Sequence, residues 1–578
     1  MRGKWFAFGC LTSIIILIAT LVLVFHSASN YMNRHSTEKK KLVSDTWLVL
    51  KLENEIKEFN ELSDDFWGKK QSSAHNYIQK INQAAHDKNI TGIILQPEYF
   101  SCGYATLDGI MAALQNFRDQ GKSVFAYVNS TTNRGYYLTT VANRIYLNPS
   151  ASAGILLTGV GGHILYYEQL LNKLGIDMQV IHAGKYKAAG EQFNRSDMSP
   201  EFRENLSSLY SDIYSQMIST IAANRNLTEA EVKAVYEDRN DIWLNGEAAL
   251  KAGLVDELVI YKNFLERLKP GFTEQDEVTR LSINSYELNT LPIALNKIAV
   301  LYAEGSIMAQ AEPALNVITA QKTSKLLQKI KDNPKIKAVV IRVNSPGGSA
   351  LESELILNAV RDLQLTKPVV VSMGDVAASG GYYIACSADQ IFADPMTITG
   401  SIGVVAMFPN LTSMGEKIGV NANTVKFGRY SDFLNPWEKP DPNELAAMQR
   451  SIMQVYDEFK SHVANGRDLT LNEVEDIAQG RVWSSKQALQ NGLIDAVGSL
   501  DDAVKKAAEL ASVTGYQVEY YPEPSSLMDY FLKEYFDIEM AASIISGKVE
   551  QLDILNELQR LKAIQQQPRQ AYCPVELN

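Results

Sequence analysis

The chain contains few cysteines and histidines for its length. Among 578 residues there are four cysteines and seven histidines, and neither a CxxC nor an HExxH pattern occurs. A zinc ribbon, a thioredoxin-like redox site and a zinc protease of the HExxH type each require one of these patterns. We therefore expect a function that uses neither a metal ion nor a cofactor.

Positive charge is not in excess either. Lys and Arg number 55 against 66 Asp and Glu, which gives a formal net charge of -11. Nucleic-acid-binding proteins neutralise phosphates with a basic surface, so nucleic acid is not an expected partner. Hydrophobic residues make up 46% of the chain and charged residues 21%, as in folded proteins. A chain of this length is expected to form at least two domains.

One long uncharged run lies near the start of the chain. Residues 5–25 carry no charged side chain over 21 positions, and at about 1.5 Å per residue this run spans a hydrocarbon layer of roughly 30 Å. We predict a transmembrane anchor at 5–25, between a tip at 1–4 and a linker at 26–45. The alternative, a cleaved signal peptide, usually has a shorter apolar region. Basic residues flank both ends, so the positive-inside rule leaves the orientation open.

The rest of the chain contains one pattern twice. ITGIIL at 90–95 and IKAVVI at 336–341 each precede a helical stretch and a second β-branched run. Both copies then continue through a GYY motif, at 135–137 and at 381–383. Because repeats reveal architecture more directly than local propensity does, this duplication is the basis of the predicted fold.

Each copy alternates apolar runs with amphipathic helical stretches, such as Leu107–Arg118 and Ser353–Leu363. This alternation is typical of α/β folds with a buried parallel sheet. We predict a tandem duplication of one α/β domain, at 46–290 and 295–510, followed by a helical extension at 511–578 without a counterpart in the repeat. A duplicated scaffold without activity is the interpretation that the repeat alone leaves open.

The second copy has a serine that the first copy lacks. Ser379 lies in the glycine-rich turn AASGGYY after a predicted strand, at the sheet edge where α/β active sites lie. Position 377 is alanine, so the turn is not the GxSxG elbow of α/β-hydrolases. With the copies offset by 246 positions, Asn133 aligns with Ser379. Ser379 is therefore the candidate nucleophile.

The first copy has a lysine that the second copy lacks. Residues 175–188 align without a gap with 419–432, which places Lys187 opposite Ser431. A serine hydroxyl needs a base to take its proton, and a lysine can act as that base only when neutral. Burial between two domains lowers the pKa of a lysine because it disfavours the charged amine. We predict one site per chain, with Lys187 as the base for Ser379.

Three further elements complete the predicted site. Ser401, in TGSIG at 399–403, aligns with an isoleucine and is expected to orient the lysine amine. The backbone N–H groups of Gly348 and Gly380 are expected to bind the oxyanion. We assign the peptide-binding surface to these neighbours: Gly347, Gly381 and Tyr382.

These motifs resemble those of the signal peptide peptidase A family, also called protease IV, in its long two-domain form. The similar motifs are NSPGG, AASGGY, TGSIG, and GKYK followed by DMSP, and the similarity covers nearly the whole chain. The resemblance implies domains of the ClpP/crotonase fold. It assigns Ser379 as nucleophile, Lys187 as general base, Ser401 as the positioning hydroxyl, and Gly348 and Gly380 as oxyanion donors.

The resemblance also implies a biological setting. It predicts a membrane-anchored serine endopeptidase that degrades cleaved signal peptides in the bacterial inner membrane. Its catalytic domains would face the periplasm, and it would form a bowl-shaped homotetramer with the sites inside. Because fold does not determine function, a crotonase-like acyl-CoA hydratase or thioesterase is the alternative enzyme, and a silent membrane scaffold the alternative without activity.

Overall fold

The computed structural model describes residues 43–61, 72–268, 278–288, 294–309 and 317–524, and the backbone of 570–572. The predicted membrane segment and most of the predicted helical extension lie outside these residues. Within the described part of the chain, no helix is long and apolar enough to cross a membrane.

The first domain is a set of short strands connected largely by helices. Its strands are β1 Thr46–Glu55, β2 Ile90–Ser101, β3 Ser123–Val128, β4 Ser130–Thr132, β5 Arg144–Leu147, β6 Gly154–Leu156, β7 Asp177–Ala183, β8 Trp243–Asn245, β9 Glu257–Leu258 and β10 Arg280–Ser282. Its helices are α1 Ala74–His86, α2 Tyr104–Asp119, α3 Asn133–Thr139, α4 Glu168–Leu174, α5 Glu191–Asn194, α6 Pro200–Arg225, α7 Glu229–Glu237, α8 Gly246–Lys251 and α9 Tyr261–Arg267, with a 3-10 turn at Ile283–Ser285.

The second domain repeats this succession. Its strands are β11 Asn296–Glu304, β12 Ser306–Ile307, β13 Val317–Ile318, β14 Ile336–Ser345, β15 Gly347–Ser349, β16 Val369–Ala378, β17 Gln390–Ala393, β18 Ile398–Gly400, β19 Val404–Asn410, β20 Val482–Ser484, β21 Ala496–Val497 and β22 Tyr516–Tyr521. Its helices are α10 Ala320–Asp332, α11 Ala350–Gln364, α12 Gly380–Ala385, α13 Thr412–Ile418, α14 Pro442–Arg467, α15 Leu471–Ile477, α16 Ser485–Gln490 and α17 Leu500–Leu510. A last strand, β23, spans Gln570–Tyr572.

The two main sheets have the same topology. The first runs β10-β1-β2-β3-β5-β9, and the second contains the equivalent order β22-β11-β14-β16-β17-β21; all these pairings are parallel. The second sheet has two more strands, because β18 also pairs with β16, and β20 pairs with β18. The predicted tandem α/β duplication is confirmed. Because β22 takes the place that β10 has in the first domain, the second domain extends beyond the predicted boundary at residue 510.

The β-branched runs form the middle of the second sheet. Val339–Ile341 in β14 and Val369–Val371 in β16 are all buried. Helices cover both faces of a parallel sheet, so these strands carry apolar side chains on both sides. The carboxyl ends of β14 and β16 lead directly into the glycine strand β15 and into Ser379.

The two domains share a strand pairing. β7 of the first domain pairs antiparallel with β19 of the second, from Asp177 opposite Asn410 to Ala183 opposite Val404. Behind this pairing, the Asn205 side chain donates to the Val482 carbonyl at 2.8 Å and accepts from the Val482 N–H at 3.0 Å. The pairing fixes the chain that continues after β7 against the second domain.

A second contact joins the domains near the nucleophile. Helix α2 begins after Gly103, which has no side chain to cap its N–H groups. Asp375 of the second domain takes that role by accepting from the Thr106 N–H at 3.0 Å and from its hydroxyl. A Cβ at Gly103 would lie 1.9 Å from the Asp375 carboxyl carbon, so only glycine allows this cap.

Candidate active site

Ser379 forms the turn between β16 and α12. Its φ of 55° and ψ of -115° lie outside the regions that L residues favour, a conformation that costs about 1–3 kcal/mol. The Ser379 N–H donates to the Gly400 carbonyl at 2.8 Å, and the Ser379 carbonyl accepts from the Tyr383 N–H at 2.8 Å. These bonds hold the strained turn and fix the hydroxyl at the carboxyl edge of the sheet.

Lys187 comes from the segment that follows β7. The Tyr186 N–H donates to the Gln479 carbonyl at 2.8 Å, which ties this segment to the second domain. Gly480 has φ 76°, and a Cβ there would lie 2.5 Å from the Lys187 Cβ. The backbone of the second domain therefore supports the lysine from behind, and Lys187 is only 2% exposed.

The structure brings the predicted nucleophile, base and positioning residue together. The Lys187 Nζ lies 2.7 Å from Ser379 Oγ, 3.1 Å from Ser401 Oγ and 3.0 Å from the Ser401 carbonyl oxygen. All three residues are buried. Ser401 has φ 52°, and its N–H donates to the Arg481 carbonyl at 2.7 Å. This arrangement places an amine within reach of a serine proton.

The predicted oxyanion glycines lie side by side. Gly348 in β15 has φ 151°, and a Cβ there would lie 2.0 Å from the Ile307 carbonyl oxygen. A Cβ at Gly380 would lie 3.2 Å from the Gly348 nitrogen, so the two backbones approach closely. Gly347, also in β15, has φ 100°. Glycine is needed at Gly348 because a side chain would clash with the Ile307 backbone, and at Gly347 because the positive φ disfavours other residues.

Two predicted substrate-binding residues, Tyr382 and Gly381, have structural roles in the packing of α12. Tyr382 is fully buried, and its hydroxyl donates to the Leu493 carbonyl at 2.8 Å. A Cβ at Gly381 would lie 2.6 Å from the Ser345 carbonyl oxygen. The Tyr382 ring packs in the core and anchors α12, so its side chain is not exposed to a substrate. Gly381 allows the same helix to pack against β14.

Sequence reasoning missed the support for the lysine at Gln479, Gly480 and Arg481. Gln479 has φ 55° and Gly480 φ 76°, and Arg481 stacks on the Tyr186 ring at 4.9 Å. The copies differ here too. Aligning IWL at 242–244 with VWS at 482–484 places Asn240 opposite Gly480. This further difference between the copies is the signal that would have found the support.

The equivalent turn of the first domain carries no nucleophile. The Asn133 side chain donates to the Gly159 carbonyl at 2.7 Å and accepts from the Thr158 N–H at 2.9 Å. Cys102, which aligns with Gly348, is half-buried, and desolvation raises the pKa of its thiol. The first domain therefore closes its own turn with an amide and presents no reactive group there.

One cluster has the composition of a metal site. Glu354, Glu458 and His462 place one potential ligand atom each within 4.8 Å of one another. Arg361 lies 3.0 Å from His462 Nδ1. Because arginine only donates, His462 Nδ1 is the acceptor in this contact, and His462 Nε2 lies 2.9 Å from Glu354 Oε2. Tyr383 on α12 donates to Glu354 Oε2 at 2.7 Å, so this carboxylate oxygen already accepts a hydrogen bond from the protein.

Comparisons with known proteins show the family of this chain. The model of peptidase family S49 matches residues 116–273 and 361–514, and that of ClpP-like SDH-type serine proteinases matches residues 293–415. Protease 4 of Salmonella typhi is 35% identical over 79% of this chain and 75% of its own length. Protease 4 of Haemophilus influenzae is 35% identical, with 80% and 78% covered. A putative signal peptide peptidase SppA of Enterococcus faecium is 39% identical over 32% of this chain and 56% of its own.

Proposed function

The chain belongs to peptidase family S49 and is a serine protease, and we propose that it works through a Ser379–Lys187 dyad assembled from both domains. The observation that carries the proposal is the 2.7 Å contact between Lys187 Nζ and Ser379 Oγ. A protease of this kind needs no histidine, since a neutral amine can replace the imidazole as base.

The hydrogen-bonding pattern around the amine suits a base. A neutral amine has two N–H donors and one lone pair, whereas an ammonium has three donors and no lone pair. The carbonyl and hydroxyl oxygens of Ser401 accept the two N–H bonds, at 3.0 and 3.1 Å. The lone pair then faces the Ser379 hydroxyl, which donates to it. Burial favours the neutral form of an amine because a charged ammonium loses its hydration.

The chemistry follows from these positions. Lys187 takes the proton of Ser379 as Oγ attacks the carbonyl carbon of the scissile peptide bond. The resulting oxyanion accepts from the N–H groups of Gly348 and Gly380, an interaction worth roughly 3–4 kcal/mol per donor. Lys187 then gives the proton to the leaving nitrogen, the C–N bond breaks, and an ester on Ser379 remains. Water, deprotonated by Lys187, attacks this ester and releases the acid, and the proton returns to Ser379.

We propose that the substrate binds as an extended strand. β15 contains Gly348, and β19 begins three residues after Ser401; a strand between β15 and β19 joins them into one continuous sheet. Main-chain hydrogen bonds to sheet edges select extended peptides and exclude folded proteins. The proposed class is apolar signal peptides, which is supported by the half-buried Met407 and Phe408 on β19 and by the name of the Enterococcus faecium relative.

We also propose that the chain is anchored in the bacterial inner membrane, with both catalytic domains in the periplasm. The support is the uncharged run at 5–25, which is long enough to span a bilayer. An anchor of this kind would hold the protease beside apolar peptides that remain in the membrane.

Self-association is proposed on the basis of two unpaired segments. The repeat gives β7 a counterpart at 421–427 and β19 a counterpart at 160–166, each offset by 244 positions. Neither counterpart belongs to a strand, although both lie in the described part of the chain. Val425 and Phe427 are 84% and 90% exposed. Large apolar side chains at this level of exposure indicate an interaction surface.

We propose that 421–427 of one copy pairs with 160–166 of the next, as β7 pairs with β19 within the chain. A head-to-tail contact closes into a ring when the rotation between copies allows it. A homotetramer, as the resemblance implies, would be such a ring. The contact would bring Ser431 of one copy towards the first-domain turn of the next, so no additional active site would form.

The dyad is tested by separate Ser379→Ala and Lys187→Ala variants in hydrolysis of an apolar fluorogenic peptide. Each variant is expected to lower kcat/KM by at least about 10³-fold. Lys185→Ala removes a neighbouring lysine outside the dyad and is the matched control, with activity unchanged. Near-normal hydrolysis by either dyad variant, at unchanged melting temperature, would contradict the proposal.

A further inference from the structure

A segment from the end of the chain lies beside the proposed oxyanion site. The strand β23 pairs antiparallel with β15, with Ala571 opposite Gly348. It also pairs antiparallel with β19 through Gln570 and Val405. The resulting sheet runs β13-β12-β15-β23-β19-β7. β23 therefore joins the glycine strand to the strand pair that positions the lysine.

The position of β23 is the position proposed for the substrate. An extended peptide that binds between β15 and β19 would use the same backbone edges, and two strands cannot occupy one place in a sheet. Ala571 lies opposite the glycine that is proposed to bind the oxyanion, so the overlap includes the reacting centre. Ser379 is fully buried with β23 in place, whereas a substrate must reach its hydroxyl.

We propose that residues 570–572 are an intramolecular competitor that fills the peptide-binding groove until a substrate displaces it. This inference rests on the proposed function for the identity of the competing substrate, but the occupancy itself concerns only backbone pairing within the chain. The interaction is β-augmentation, in which main-chain hydrogen bonds supply most of the affinity. Such pairing tolerates many side chains, so the same groove can accept both the chain's own segment and an apolar peptide.

The competition has a defined kinetic consequence. When part of the enzyme is closed by its own segment, the apparent affinity for substrate falls by the fraction that is open. Substrate at saturation displaces β23 completely, so kcat stays unchanged. Removing the segment is expected to lower KM, and a free peptide of the same sequence is expected to restore the higher KM as a competitive inhibitor.

The experiment compares two truncated proteins with the full chain in peptide hydrolysis, after intact-mass measurement of each. A chain that ends at Arg569 lacks β23, whereas one that ends at Tyr572 retains it. The first is expected to show KM reduced by about threefold or more, which corresponds to a groove open at most about a third of the time. The second is expected to behave like the full chain. A synthetic peptide of residues 566–578 is then added to the shorter protein.

A second variant guards against effects of truncation. Ala571→Pro removes a backbone N–H and disrupts strand pairing in the intact chain, whereas Ala563→Pro places the same change outside β23. Lower KM with constant kcat in Ala571→Pro alone supports the proposal. Unchanged KM in both the Arg569-terminated chain and Ala571→Pro would overturn it, as would equal effects of the two prolines.

Hydrogen exchange separates this inference from the proposed function. In the Ser379→Ala protein, which keeps the groove without hydrolysis, the amides of Gly347–Ser349 and Val405 are expected to exchange faster once residues 570–578 are deleted. This readout requires no peptidase activity, so it holds even if the dyad proposal fails. Equal protection with and without the segment would overturn the occupancy.

Discussion

The first and second domains have the same order of equivalent strands, but the residue at the equivalent turn has a different role in each. In the second domain the turn holds Ser379 at φ 55° and points its hydroxyl at a lysine 2.7 Å away. In the first domain the side-chain amide of Asn133 hydrogen-bonds to the backbone of Thr158 and Gly159. The strand that leads to Lys187 differs in the opposite sense. β7 of the first domain pairs with the second domain, whereas its counterpart at 421–427 in the second domain is exposed.

This difference shows how duplication can divide one site between two domains. If the proposed dyad is the working site, each copy needs only one of the two reactive groups once the domains pack together, so the other group was free to change. The cost is that the geometry of the site depends on the contacts between domains. Those contacts are specific, as the bidentate Asn205–Val482 pair and the trans cap from Asp375 show.

Gly480 offers the most severe test of the contact between the lysine segment and the second domain. Gly480→Ala adds a Cβ that would lie 2.5 Å from the Lys187 Cβ, so the amine must move. Displacement of a catalytic group by about 1 Å can cost about 10²-fold in kcat. We expect a loss of this size in peptide hydrolysis. Gly492→Ala is the matched control, because Gly492 has a similar φ of 75° with its nearest neighbour 3.8 Å away. Equal activity of both variants would contradict the support role.

Substitutions of Ser401 test the role of its hydroxyl, which contacts the Lys187 amine. Ser401→Ala removes one of the acceptors around Lys187 Nζ but leaves the Ser401 carbonyl. Loss of one hydrogen bond of about 1–2 kcal/mol predicts a fall of about tenfold in kcat, with KM unchanged. Ser401→Gly also lacks the hydroxyl but tolerates φ 52°. Similar losses in both variants identify the hydroxyl as the cause, whereas full activity of the glycine variant would assign the effect to backbone strain.

The folded state is expected to lose stability as pH rises because of Glu304 in β11, whose carboxyl oxygens accept from the N–H groups of Glu58 and Phe59 of the first domain. Burial, reinforced by the nearby Glu58, raises the pKa of Glu304 to about 8. The unfolded chain holds this proton only below pH of about 4.3, so the stabilisation is complete below that pH and is lost as pH rises through about 8. We expect the melting temperature to fall by a few degrees between about pH 6 and pH 9. Glu304→Gln, which stays uncharged, should flatten this part of the profile; an unchanged slope would exclude Glu304 as its source.

The smallest effect on catalysis is expected from the exposed counterpart of β7. Phe427→Asp places a charge on the proposed contact between copies, which should lower the mass measured by analytical ultracentrifugation while kcat of the dyad changes little. Leu365→Asp alters a residue that is also highly exposed, at 82%, and lies outside this contact. Dissociation by both variants, or by neither, would argue against pairing through 421–427.

The sequence predicted the duplication and the central residues of the site for a physical reason. Parallel strands buried on both faces leave long apolar runs, and such runs at 90–95 and 336–341 mark equivalent strands. Ser379 and Lys187 were found because each is missing from the other copy. Their contact could be predicted without knowledge of the side-chain geometry. A serine hydroxyl needs a nearby base to become a nucleophile, and the two groups occur in different copies, so the copies were expected to meet at one site.

Other features depend on contacts that no local pattern encodes. Tyr382 occurs in a glycine-rich turn, and its burial follows from the position of Leu493, 111 residues away. β22 lies beyond the last obvious repeat motif and is recognised only by its pairing with β11. β23 has three residues, too few for a periodic pattern, and its partners lie more than 150 residues earlier.

The segment that carries Lys187 is attached to Gln479, so the protease can become active only after Gln479 has been synthesised. During synthesis the lysine emerges first, the serine follows 192 residues later, and Gln479 emerges a further 100 residues on. Because domains tend to fold in the order in which they leave the ribosome, the first domain is complete while the nucleophile is still missing. The growing chain thus passes through most of its synthesis without a working protease, and its own unfolded segments are protected from cleavage during that period.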